Sequence, residues 1–275
     1  MNARLASAIA FLSAASLIHA APLSPSEERA SFHLADPSLI VELVAAEPDV
    51  ISPVAITWDA RGRMFVAEMI DYPLGPPAGQ IRMMEDRDHD GRYETGVVFA
   101  DRLPFPNSVL PWNGGLLVTV APDLVFLKDT DGDGHADERR VLFTGFAEGN
   151  QQLRANGLLW GLDNWIYGAN GLIGGAIHGI AGGREVNISG RDFRMRPDTG
   201  EIEPASGLTQ QGRSRDDWDH WFGCDNSTLL WQYPLPEHYV RRNPYIAPPD
   251  PRVFVPGDSD PNELFSCKPN PGAVQ

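Results

Sequence analysis

The chain has 275 residues, 42% of them hydrophobic, with 27 glycines and 24 prolines. That is enough for a substantial core and too rich in turn formers for a helical bundle. Its net charge of −15, with no cluster of lysine or arginine, excludes a nucleic-acid partner, because a phosphate backbone demands a basic face.

The first 21 residues read as a secretory signal. A single charge at Arg4 precedes an apolar run from Leu5 to Ile18, and small residues follow at Ala20 and Ala21. The run is shorter than the roughly 20 residues that span a bilayer, so export to the periplasm or cell envelope is expected rather than anchoring. No later segment is apolar enough to span. Residues 22–38 form a lead-in, residues 39–242 carry a repeating β pattern, and residues 243–275 form a Pro-rich extension or a truncated end.

Within 39–242 a turn followed by an apolar run recurs as Trp58–Glu68, Pro111–Val120 and Trp160–Gly168. Each is followed by a hairpin. Ile81–Met84 and Val97–Phe99 flank the first turn, Leu124–Leu127 and Val141–Phe143 the second, and Phe193–Arg196 and Gly200–Ile202 the third. Units of about 40 to 50 residues built from short strands are the mark of propeller blades. The expected fold is all-β, a β-propeller with about four to five blades of a six-bladed ring.

The first two hairpin turns carry the chemistry. Asp86, Asp88, Asp90 and Glu94 fall on the pattern D-x-D-x-D-G-x-x-[D/E], and Asp129, Asp131, Asp133 and Asp137 repeat it. Carboxylates at alternate positions of a tight turn converge on one centre and suit a hard cation such as calcium. Val97 and Arg140 stand where an EF-hand needs its bidentate Glu, so these are not EF-hands. Arg87, His89 and Arg92 offer the first cluster internal counter-charge. The alternative for both loops is a solvated turn, since Asp and Gly favour turns whatever they bind. The third hairpin, with Pro197, has lost the pattern.

Further candidates lie before the third and fourth blades. Arg154 and Asn156 precede a first strand and either bind a carboxylate or carbonyl or hydrogen-bond loop backbone. Gln210, Gln211, Arg213, Arg215, Asp216 and Asp217 form a polar stretch before Trp218 and Trp221, as in a sugar site, although blade tryptophans more often pack between sheets. His178 falls in a Gly-rich segment expected to be a loop. Cys224 and Cys267 either form one disulfide or stay as free thiols, and no C-x-x-C-H motif attaches a haem.

The runs Leu39–Pro48, Pro53–Pro73, Asp129–Gly134, Asn156–Gly168 and Gly190–Ser227, in that order, resemble the N-terminal domain of large exported proteins of planctomycete- and verrucomicrobia-type bacteria. Those proteins are called membrane-bound dehydrogenases and are similar to sorbosone and soluble glucose dehydrogenases, quinoproteins with six-bladed propellers. The resemblance implies pyrroloquinoline quinone polarised by calcium, a sugar or polyol substrate, a histidine base and a cytochrome c electron acceptor. It places Arg154, Asn156, Gln211 and Arg213 as candidate quinone ligands. The family's Gln-Gln-His-Arg pattern reads Gln151-Gln152-Leu153-Arg154 here, so the expected base is replaced by a side chain that accepts no proton. Three functions follow: a quinoprotein-like dehydrogenase, a non-catalytic calcium-stabilised propeller binding carbohydrate or protein, or a fragment of a longer dehydrogenase-like protein.

Overall fold

Alternating apolar residues make the strands, and their turns fold them into four antiparallel sheets among the described residues. The computed structural model describes residues 22–255, so the expected signal and Cys267 lie outside the described residues. The chain divides into residues 1–43 and 44–275. The described part of the first unit holds one short helix, α1 (Pro25–Ser31), capped reciprocally by Ser24 and Glu27.

The described part of the second unit is a β-propeller array of four blades. Blade one comprises β1 (Pro53–Trp58), β2 (Met64–Glu68), β3 (Gly79–Glu85) and β4 (Thr95–Leu103), hydrogen-bonded in that order. Blade two repeats it with β5 (Ser108–Trp112), β6 (Gly115–Val120), β7 (Asp123–Lys128) and β8 (Glu138–Phe146). Its first turn is Asn113-Gly114, both with positive φ, the two-residue hairpin whose twist matches that of its strands.

Blade three begins with β9 (Asn156–Trp160) and β10 (Ile166–Ala169) and then departs from the pattern. The hairpin β11 (Gly175–Gly179) and β12 (Val186–Asn187) leaves it and adds to the outer edge of blade two, beyond β8. The chain returns for β13 (Asp192–Arg196) and β14 (Glu201–Ala205). His178, expected in a loop, is therefore a strand residue of β11 opposite Thr144. The borrowed hairpin pairs an edge that would otherwise expose backbone groups.

Blade four is the smallest: β15 (Ser214–Arg215), β16 (Trp221–Gly223), β17 (Trp231–Tyr233) and β18 (Val253–Phe254). A long connection carrying α2 (Glu237–Val240) joins its last two strands. Val253 and Phe254, within the Pro-rich stretch expected to be an extension or a truncated end, supply this blade's outer strand, which pairs with Trp231 and Gln232.

Because side chains alternate across a strand, each blade packs one set of residues against each neighbour. Val109, Leu116, Val118, Val125 and Leu127 of blade two meet Phe65, Ile81 and Phe99 of blade one. The interleaved Leu110, Leu117, Leu124 and Phe126 meet Leu158, Ile166, Phe193 and Met195 of blade three. Between blades three and four the layer turns aromatic, with Trp165, Tyr167, Trp221, Trp231 and Tyr233.

Phe193 is fully buried, 5.3 Å from the Phe146 ring, and its ring lies so close over Gly168 that a Cβ there would sit 2.2 Å from it. Phe193→Ala is expected to cost about 3–5 kcal/mol by opening a cavity in this layer. Equilibrium urea denaturation measures it, and a loss below about 1 kcal/mol would show that the layer collapses around the gap.

Candidate functional site

Each blade's first strand begins at the same face of the array. Ser52 and Pro53, Asn107, Gln151 and Gln152, and Gln211 stand just before or at those starts and line one cavity of about 330 Å³, together with Tyr72. Gln152 Nε2 donates to the Tyr72 hydroxyl at 2.6 Å, Gln211 Nε2 to the Gln152 carbonyl at 2.8 Å, and Asn107 Nδ2 to the Gln151 carbonyl at 3.2 Å. The lining contains amides and hydroxyls, and neither a carboxylate nor an imidazole.

Arg154 and Asn156 support this face from below. Arg154 is buried, donates from Nε and Nη2 to the Glu148 carbonyl at 2.9 and 2.5 Å, and lies 4.9 Å over the Phe105 ring. Burial pushes its guanidinium pKa down against the raising influence of Glu148 and Asp71. Asn156 Nδ2 donates to the carbonyls of Arg154 and Gln210, and its Oδ1 accepts from Gly212 N. Leu153 ends a 3-10 turn (Gln151–Leu153) on the same loop.

Arg213 lies elsewhere, in the seam between blades three and four. Its Nη1 donates to Asp192 Oδ2 at 2.7 Å and to the Ser206 carbonyl at 2.9 Å. Tyr167, Trp221 and Tyr233 surround the guanidinium at 5.6, 4.9 and 5.0 Å. Asp192 also accepts from Asn170 N, Thr209 N and Thr209 Oγ1. Complete burial pushes the Asp192 carboxyl up, and Arg213 with these hydrogen bonds pulls against that push. Burial first, then the Asp192 charge, raises the Tyr233 phenol to about 12.

The acidic loops occupy the opposite end of the strands, joining β3 to β4 and β7 to β8. In each, three aspartates converge: Asp86, Asp88 and Asp90 offer oxygens within 4.8 Å of one another, as do Asp129, Asp131 and Asp133. Asp137 stands outside its trio and accepts from Thr130 N and Oγ1, and Glu94 is likewise not part of its trio. Desolvation would raise Asp129, but N–H groups from Gly132, Gly134, Asp131 and Asp133 outweigh it and hold its carboxyl below the usual range. The second loop also docks on blade one. Ala136 N donates to the Phe99 carbonyl at 2.7 Å, and His135 Nδ1 lies 2.8 Å from the Val98 carbonyl. These carboxylates are the donor set that calcium takes, and the trios fit it.

Among the other candidates, Gln210 is buried and its Oε1 accepts from Asn226 N. Arg215 Nε donates to the Trp160 carbonyl. Asp216 accepts from Trp218 N, His220 N and His220 Nδ1, closing the turn before β16. Trp218, expected in the core, projects from that turn at 77% exposure, whereas Trp221 is buried. Asp217 is exposed. The Cys224 thiol is pushed up by burial and by Asp225. Two groups that no sequence pattern marks also emerge: His220, paired to Asp216 at 2.7 Å, and Asp192, whose role rests on contacts 17 to 22 residues away.

The profile of one family, described as a domain of unknown function (DUF7133), matches residues 24–273. The chain belongs to that family. No curated protein matches it. Three solved structures are similar to this family member at low identity. One is a glucose dehydrogenase-type oxidoreductase from Thermus thermophilus, 14% identical over 66% of this chain and 61% of that one, with a TM-score of 0.42. A catalytically inactive virginiamycin B lyase from Staphylococcus aureus, with quinupristin, is 12% identical over 70% and 55%, with a TM-score of 0.40. The calcium structure of a Trichoderma reesei Carbohydrate-Active Enzymes Family AA12 protein is 12% identical over 67% and 60%, with a TM-score of 0.35. The chain thus spans less than two thirds of the length of each of these proteins.

Quinone carboxylates call for guanidinium forks with donors to spare. Arg154 spends two of its nitrogens on Glu148, Arg213 spends Nη1 on Asp192 and Ser206 in a different seam, and Leu153 offers no base. Arg154, Asn156, Gln211 and Arg213 do not form a cradle for pyrroloquinoline quinone.

Tyr233 gives the seam a pH signature. Its proton is held more tightly in the folded state, so its stability contribution is complete below pH 10.0 and is lost as pH rises through about 12. Denaturation midpoints of the wild type are expected to fall more steeply across this window than those of Tyr233→Phe. Parallel pH profiles would refute the assignment.

Proposed function

We propose that this chain is a non-catalytic binding propeller that takes a neutral carbohydrate on the face where its blades begin and is stabilised by calcium at its acidic loops. The observation that carries this reading is the amide-lined cavity. Asn107, Gln151, Gln152 and Gln211 present paired donors and acceptors, which match sugar hydroxyls, with no residue to take a proton during oxidation. The replacement of the expected histidine by Leu153 supports the same conclusion.

Calcium would act far from the sugar. In the second loop it would neutralise Asp129, Asp131 and Asp133 and so hold a turn that grips blade one through Ala136 and His135. The apolar run at residues 5–18 supports export, where calcium is available.

Calorimetric titration of the metal-loaded protein with glucose, xylose and cellobiose tests the site. Saturable binding is expected for at least one, weakened about tenfold or more in Gln152→Ala or Gln211→Ala by loss of hydrogen bonds. Calcium-dependent dye reduction with added pyrroloquinoline quinone and sugar would overturn this reading in favour of a quinoprotein-like dehydrogenase.

Calcium is expected to raise the thermal midpoint, and the double variant Asp129→Asn, Asp131→Asn to lose most of that increase. An equal calcium shift in the double variant would remove the second loop as a metal site.

A further inference from the structure

The amide-lined cavity has two unlike walls. Blade one supplies Ser52 and an apolar set, Pro53 and Val54 at the start of β1 and Met69 and Tyr72 just beyond β2. The facing wall is polar and comes from the later blades, through Asn107, Gln151, Gln152 and Gln211. Val54 is 49% and Tyr72 46% exposed, so the apolar wall is open to a ligand and not sealed within the fold.

Two of the amides are held in a fixed orientation. Asn107 Nδ2 donates to the Gln151 carbonyl and Gln211 Nε2 to the Gln152 carbonyl. A backbone carbonyl only accepts, so the nitrogen of each amide must face it, which leaves the second N–H and the oxygen uncommitted to that contact. Neither Asn107 Oδ1 nor Gln211 Oε1 accepts a hydrogen bond among the described residues. Asn107 is half-buried and Gln211 exposed, so both amides lie within reach of solvent. Each offers a donor beside an acceptor, which is the complement of another amide.

Three kinds of sugar compete for such a cavity. No carboxylate, guanidinium or imidazole lines it, so a uronic acid or a free amino sugar would enter without a counter-charge. A plain hexose matches the amides, but hydroxyls of its rim that turn to Val54 and Met69 lose water without gaining a partner. An acetamido substituent suits both walls: its N–H and C=O pair reciprocally with a side-chain amide, and its methyl group adds apolar area to bury.

Given that the cavity takes a neutral carbohydrate, as proposed above, we infer that it selects a 2-acetamido sugar. The acetamido group pairs with an amide of the polar wall, its methyl packs on Val54 and Met69, and the pyranose ring lies on Tyr72, whose hydroxyl Gln152 holds in place.

Calorimetry on the metal-loaded protein with N-acetylglucosamine, glucose and glucosamine tests it. N-acetylglucosamine is expected to bind saturably and about tenfold or more tighter than either of the others. Val54→Asn puts a polar group where the methyl packs, so it should weaken N-acetylglucosamine about fivefold while moving glucose by less than about twofold. Val54 is half exposed, so this variant should fold, which far-ultraviolet circular dichroism verifies. Glucose or glucosamine binding as tightly as N-acetylglucosamine, or an unchanged preference in folded Val54→Asn, would overturn the acetamido assignment and leave the carbohydrate reading standing. Absence of binding by all three sugars would overturn both.

Discussion

The buried carboxylate of Asp192 is the constraint on which the second half of the structure depends. Desolvating a charge is costly, and the cost is offset only if every lone pair is used. Asp192 meets that condition by drawing in groups from three places: Asn170 after β10, Thr209 after β14, and Arg213 before β15. It thereby fixes the path of the chain between two blades whose strands are short. Arg213, pinned in turn, supplies the positive centre about which Tyr167, Trp221 and Tyr233 pack.

The three inter-blade layers differ in kind. The first two are aliphatic and phenylalanine-rich, held mainly by burial, and they align blades one to three. The third is aromatic and contains a buried ion pair, with two buried N–H groups, Arg213 Nε and Trp221 Nε1, that have no acceptor among the described residues. A polar seam is a poorer adhesive than an apolar one. The acidic loops lie at the far end of the strands from the amide-lined face, so a cation there would act on the array and not on a ligand.

Much of the blade architecture was legible because it is local. The alternation in Leu116–Val120 and Leu124–Leu127, the Asn113-Gly114 turn and the spacing of the aspartates depend on neighbours within a few residues. Three features were not legible. The β11–β12 hairpin is Gly-rich and reads locally as a loop, and nothing local reports that it pairs with β8 of the preceding blade. β18 is two residues long amid prolines and exists by virtue of its partner β17. Arg154 and Arg213 look alike in sequence, yet one is bound to its own loop and the other to Asp192 twenty-one residues earlier.

Periodicity, turn chemistry and residue identity act over short range, so the order of amino acids alone was enough to set the all-β class, the blade repeat, the two convergent aspartate turns and the loss of a proton acceptor at Leu153. Folding in three dimensions settled which partner each arginine binds, which candidates line a common cavity, and that Asp192 is buried at the seam. Those outcomes are set by burial and by partners from other blades, since a side chain's chemistry is governed by what desolvates it and what it must satisfy.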